Sequence, residues 1–211
     1  MASVTRRGKN GRAGRGTVEG HIFEAVERLL AAGESFTAVG VQRIADEAGI
    51  ARSSFYLNFA DKVDLLMRLS DAATRDLFAI AEAWVEDRDR SLEGLEIGIT
   101  EVIGEYRAHA GTLAAVTEVA AYDGEVAAHW QALVDRFAAV WEDAIAADQR
   151  AGRAPADLDV PATVRFVAWG IERAVARHIA DERPPSEDAA VATALARATW
   201  AAFYARRTDL P

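Results

Sequence analysis

The stretch from Val41 to Leu66, VQRIADEAGIARSSFYLNFADKVDLL, decides how the N-terminal third of this chain folds. Val41, Ile44, Ala45 and Ala48 recur at intervals of three and four, which gives a short helix one apolar face. Gly49 follows, and glycine takes the left-handed conformation that ends a helix sharply without steric cost. A second short helix then runs on. Ile50 plugs the space between the two, with Phe55 and Phe59 beneath, and the small Ala45 lets them cross closely. Asp61 caps a further helix.

Two short helices joined by a tight glycine-containing turn form a helix-turn-helix, whose second helix enters the major groove of DNA. With Phe55 and Phe59 turned inward, Arg52, Ser53, Ser54 and Tyr56 remain for the outward face. Hydroxyls bond to phosphate or to several different bases, so this group does not encode one operator. Lys62 stands in the first turn of the helix capped by Asp61. A cation there opposes the helix dipole, and a DNA phosphate is its expected partner.

Charge supports this division. The whole chain carries a net charge of −9. Residues 1–68 hold ten Lys/Arg and eight Asp/Glu, a net of +2, while residues 69–211 hold fourteen and twenty-five, a net of −11. Local charge rather than the total governs attraction to phosphate. Residues 1–16, MASVTRRGKNGRAGRG, contain five basic residues, no acidic one and no periodicity. They read as a disordered basic arm, with Arg12 and Arg15 placed to reach DNA. Arg outnumbers Lys 22 to 2 in an Ala-rich chain, a genomic bias that by itself says nothing of nucleic acid.

Other function classes find little support. There is no Cys, which excludes disulfides and thiolate metal sites. His21, His109, His129 and His178 are scattered, without the HExxH spacing of a helical metal site. No nucleophile elbow, P-loop or GxGxxG occurs, so neither a catalytic residue nor a cofactor or metal is expected. The N-terminus is basic but lacks the apolar segment of a secretory signal, and no apolar run is long enough for a bilayer. A soluble cytoplasmic protein without membrane contact follows.

Beyond the head the pattern is helical throughout. The apolar residues from Val63 to Trp84 predict one long helix starting at Asp61. Ser91 opens a helix to Tyr106, another covers Thr112–Ala121, and a long one runs from Glu125 to Ala151 and stops at Gly152. Asp159, ahead of Val160-Pro161, opens a helix to Ala180. Pro184-Pro185 interrupts, and the last helix runs to Arg207. The expectation is an all-α chain of about nine helices: an arm at 1–16, a three-helix DNA-binding domain at 17–67, and a bundle at 68–211 for ligand binding and dimerisation.

Trp130, Val134, Phe137 and Trp141 form one aromatic stripe on the long C-terminal helix. An aromatic-lined cavity inside a bundle is the usual form of a site for an apolar small molecule. Core packing is the plain alternative for each Trp, and Trp169 is a candidate for an outward face. Glu172-Arg173 reads as a structural ion pair or helix cap.

IADEAGI, then Ser53-Ser54, FYLNF, DK and LL in order resemble the N-terminal signature of the TetR family of transcriptional regulators over residues 18–68. The resemblance implies that Thr37, Gly40, Val41 and Gln42 also lie near DNA; Gly40 stands where the family usually has Thr. The run from His109 to Pro155, with IERAVARHIADERPP and the late Trp200 and Tyr204, is similar to the subgroup containing the ethionamide-activation repressor. That similarity implies a hydrophobic pocket walled by Leu95, Val102, Trp130, Val134, Phe137, Val140, Trp141, Ala168, Ile171 and Trp200. Ala168 and Ile171 replace polar amides of the relative, so hydrogen bonds made there are missing. It also implies a homodimer through the last two helices. A dimer suits the physics as well, because one small head reads few base pairs.

The expected function is therefore a ligand-responsive dimeric repressor. It would bind a palindromic double-stranded operator and be released by a small hydrophobic ligand through a two-state shift. Its rivals are a constitutive dimeric regulator whose body holds no ligand, and an enzyme with a vestigial head.

Overall fold

The computed structural model describes residues 17–87 and 90–205. Among the described residues there are ten α-helices and no strand. They divide into two compact units between Leu69 and Ser70.

The first unit contains α1 (Val18–Ala31), α2 (Val41–Ala48), α3 (Arg52–Asn58) and most of α4 (Lys62–Ala73). Thr17 caps α1 by accepting from the Gly20 N–H at 3.1 Å. Gly49 ends α2 at φ 68°, and the Ile50 N–H closes on the Ala45 carbonyl. Asp61 accepts from the N–H groups of Val63 and Asp64 and so starts α4. Ile22, Ile44, Ala45, Phe55, Phe59, Leu65 and Leu66 are buried together. Each buried Phe contributes about 2–3 kcal/mol. Around this core run exposed ion pairs, Arg28–Glu47 and Arg43 with Glu34 and Glu47. Such pairs add at most about 1 kcal/mol, so the apolar core holds the head together.

The second unit holds α5 (Arg75–Glu86), α6 (Leu92–Ala108), α7 (Ala110–Ala120), α8 (Gly124–Arg150), α9 (Val160–Ala180) and α10 (Asp188–Tyr204). The continuous helix expected from Asp61 to Trp84 is instead two, meeting at Thr74. The Thr74 hydroxyl donates to the Ser70 carbonyl, a back-bond that bends helices. The other boundaries follow their caps. Ser91, Asp123 and Asp159 each accept a backbone N–H at the start of α6, α8 and α9. A 3-10 turn at Pro185–Glu187 leads into α10. The expected end of that helix at Arg207 lies outside the described residues, as do Arg12 and Arg15.

Helix α8 packs on α7 and α9, α5 lies against α6 and α8, and α10 runs along α6. Two polar clamps fix the ends. Arg107 on α6 grips Asp188 on α10, which also meets His178 on α9 at 2.8 Å. The Arg107 guanidinium holds the Asp188 carboxyl down to about 2. Asp148 on α8 is 2 % exposed and accepts from Arg90, Arg153 and the Tyr204 hydroxyl. Among the described residues no helix is long and apolar enough to cross a membrane.

The Asp148 clamp is the more deeply buried of the two. Asp148→Ala strands the Arg90 guanidinium in the interior, which costs about 3 kcal/mol. Urea denaturation followed by Trp fluorescence reads this directly, and a loss under about 1 kcal/mol would contradict a closed buried clamp.

Candidate DNA-facing helix and ligand cavity

In the head, α3 buries Phe55 and turns the opposite face outward. Arg52, Ser53 and Tyr56 are exposed, and Ser54 is half-buried. Arg52 lies over the Tyr56 ring, 5.7 Å from its centroid, and Asn58 ties α3 by donating to the Ser54 carbonyl at 2.7 Å. Thr37, Gly40 and Gln42 are exposed around the start of α2, and Val41 is half-buried. Gly40 caps α2 with no side-chain bond, as its lack of an oxygen requires. The Gln42 amide donates to Asp46 at 2.8 Å.

Lys62, the residue expected at a phosphate, makes contacts within the head. Its ammonium donates to the Phe36 carbonyl at 2.6 Å and the Thr37 carbonyl at 3.3 Å, over the Phe36 ring. It ties the loop before α2 to α4, and burial pushes its pKa down. One outward residue of α3 is not among those expected from the sequence. Leu57 is 86 % exposed, beside Tyr56. Its spacing is the available signal, since the buried positions 55 and 59 leave 57 pointing away.

In the body, α5, α6, α8 and α9 enclose an apolar cavity of about 90 Å³. Eight of the ten expected wall residues line it: Leu95, Val102, Trp130, Val134, Phe137, Trp141, Ala168 and Ile171. Val140 and Trp200 do not. Val140 is rotated off the Phe137–Trp141 face of α8 and joins Phe78 and Arg136 in an outer groove. Trp200 packs tilted against Tyr204, with ring centroids 4.4 Å apart, where the Asp148 clamp holds Tyr204.

Helix α5 supplies a wall that the sequence does not disclose, with Leu77, Ile80 and Trp84. The rings of Trp84 and Trp141 approach to 5.0 Å, and neither indole N–H has a partner. Glu172 reads in sequence as part of an ion pair or cap, yet it is 6 % exposed and lines the cavity. Arg173 reaches its carboxylate only to 3.8 Å, from a largely exposed position. Neither carboxylate oxygen has a hydrogen-bond partner, and burial raises the pKa.

Two comparisons decide the family. The profile for "Bacterial regulatory proteins, tetR family" matches residues 22–69, and that for "Transcriptional regulator EthR, C-terminal domain" matches residues 95–205. The chain belongs to the TetR family of transcriptional regulators, with a C-terminal domain of the EthR type. It is 27 % identical over 191 residues to the HTH-type transcriptional regulator EthR of Mycolicibacterium smegmatis, covering 87 % of this chain and 86 % of that one. Solved structures share the fold. The SmeT–triclosan complex has a TM-score of 0.71 at 15 % identity over 92 % of this chain and 95 % of its own. FadR of Bacillus subtilis, in complex with stearoyl-CoA, has a TM-score of 0.67 at 20 % identity over 83 % and 96 %.

The isolated carboxyl in the TetR-type body has a thermodynamic consequence. Its folded pKa lies above its ordinary value of 4.5, so the folded state holds the proton more tightly than the unfolded state. Glu172 therefore penalises folding increasingly as pH rises from about 4.5 through the folded pKa. Glu172→Gln should raise the melting temperature at neutral pH and by less near pH 4. A variant that melts lower at neutral pH would mean the carboxylate has a stabilising partner.

Proposed function

We propose that this chain is a dimeric, ligand-responsive regulator, in the simplest form a repressor that a small apolar molecule releases from a palindromic operator. The observation that carries the reading is the apolar cavity inside the helical body of a TetR-family chain. Triclosan, named with SmeT, is largely apolar, and stearoyl-CoA, named with FadR, carries a long apolar acyl chain on a polar anionic coenzyme, which supports a ligand with an apolar body here. At about 90 Å³ the cavity is small beside the roughly 300–1,000 Å³ usual for drug-sized ligands. A ligand of that size must displace side chains, and this displacement is the proposed trigger. Helix α4 starts in the head, and its Asp71 in the body lies 3.4 Å from His129, the neighbour of the wall residue Trp130. The same tightness favours a second reading, a constitutive regulator whose cavity is imperfect packing.

For DNA, the proposed reading face is Arg52, Ser53, Ser54, Tyr56 and Leu57, with Thr37, Gly40, Val41 and Gln42 at the backbone. Leu57 suits the methyl group of thymine. For the dimer, the proposed interface is α9 with α10. Phe166 is 73 % exposed, beside Trp169 in a surface groove, and Ala190, Ala194, Ala198 and Ala201 leave α10 an exposed small-residue face. The domain roles follow as an arm at 1–16, a DNA-binding head at 17–67 and a ligand and dimer body at 68–211.

Anisotropy titrations against the DNA flanking the chain's own gene, at two salt concentrations, test the DNA reading. Tight, sequence-specific and salt-sensitive binding is expected. Arg52→Ala should weaken binding to every sequence and lower the log–log salt slope by about one. Leu57→Ala should keep the slope and reduce specific binding on the order of tenfold. Absence of specific binding here and in a genome-wide selection would overturn the reading.

Light scattering tests the interface. Phe166→Glu should give a folded monomer that binds the operator weakly, and a retained dimer would place the interface elsewhere.

A further inference from the structure

Tyr106, Trp130 and Glu172 belong to two spaces at once. They line the apolar cavity, and they also line a second hollow of about 480 Å³ among α6, α7, α8 and α9, together with Arg173, Arg177 and Glu182. The junction between the two spaces is therefore built from two aromatic side chains and one carboxylate. Among the described residues that line the cavity, Glu172 is the one that carries a charge. Its carboxylate oxygens are buried and lack hydrogen bonds, with Arg173 at 3.8 Å on the exposed side of α9.

A buried carboxylate that accepts no hydrogen bond and meets its one ion-pair partner, Arg173, only at 3.8 Å is costly to the folded state. The aromatic faces beside it carry negative quadrupole potential, which attracts cations. An anionic head group inside the cavity would meet repulsion from Glu172 where little water screens it, because Arg173 and Arg177 line the hollow and not the cavity. A neutral hydrocarbon would leave the carboxylate as it stands.

We propose that Glu172, with Tyr106 and Trp130, takes the protonated amine of an amphipathic organic cation whose apolar body lies in the cavity. The assignment rests on reading that cavity as a ligand site. The ammonium donates to the two carboxylate oxygens and faces the Tyr106 and Trp130 rings. The apolar body lies along Val134, Phe137 and Ile171. The free indole N–H groups of Trp84 and Trp141 suit an acceptor atom on that body.

The test uses the full-length protein near neutral pH and three probes of one shape: phenethylamine, propylbenzene and phenylacetate. Calorimetry and Trp fluorescence give each affinity, and Ala168→Trp, which fills the cavity, identifies binding there by abolishing it. Phenethylamine should bind tightest and phenylacetate weakest, with the amine favoured over the carboxylate by about tenfold or more. Glu172→Gln should erase the amine preference and leave propylbenzene affinity unchanged. Equal affinities in the unmodified protein, or an amine preference that survives in Glu172→Gln, would overturn the assignment. Propylbenzene bound in preference to the amine would overturn the cation alone and keep the cavity as a ligand site. Failure of all three to bind would overturn both. The ranking in the unmodified protein decides the matter even if the variant does not fold.

Discussion

Trp130, Val134, Phe137 and Trp141 repeat along one face of α8 and line the cavity, the first two buried and the last two half-buried, as the cost of leaving apolar surface in water favours. Planar rings do not interdigitate along a helical groove as aliphatic chains do. Trp141 packs edgewise against Phe203 and tilted against Trp84, while Phe137 stacks on Phe78 at 4.0 Å. Between these pairings the rings leave a space that α5, α6 and α9 close over with apolar side chains. The arrangement of the body depends on that one bulky stripe. The Asp148 and Arg107 clamps tie the surrounding helices to one another.

Under the proposed function, a ligand would drive such a space to a second packing. Cores are close-packed and respond to inserted volume by shifting between discrete arrangements rather than by stretching. A cavity narrower than its ligand must open when filled, and this supplies the differential affinity that a two-state switch requires. Coupling of a few kcal/mol suffices for a regulator, a factor of about 5–150 in DNA affinity. The bend at Thr74, where a hydroxyl back-bond meets the helix ladder, lies on the segment that leads from the head into the body.

Much of this is legible in the sequence because local rules and tertiary demands agree. The glycine turn at Gly49, the Asp61 cap and the apolar phase of α2 and α3 each point to the same helix-turn-helix, and the structure repeats them. The starts of α6 and α9 follow directly from Ser91 and Asp159. What escapes depends on long-range packing. The break at Thr74 leaves no trace in the apolar pattern. Helix α5 enters the cavity wall only because it packs on both α6 and α8. Val140 shares a helix with the stripe but lies at another angle, and Trp200 is claimed by Tyr204. Glu172 does pair with Arg173, at 3.8 Å, but adjacency along the chain does not reveal that its carboxylate also lines the cavity. The intramolecular partners of Lys62 are hidden in the sequence because the carbonyls that bind it lie about 25 residues away.

The central claim is that the cavity and the DNA-reading helix share one equilibrium. Thermodynamic reciprocity tests it whatever the path of the coupling between them. The affinity of a cavity-bound ligand is measured by calorimetry on the free protein and again on the protein saturated with its operator. The account predicts weaker ligand binding on DNA, by the same factor by which the ligand weakens operator binding. Equal ligand affinity in the two states would mean that the cavity, occupied or not, has no part in regulation.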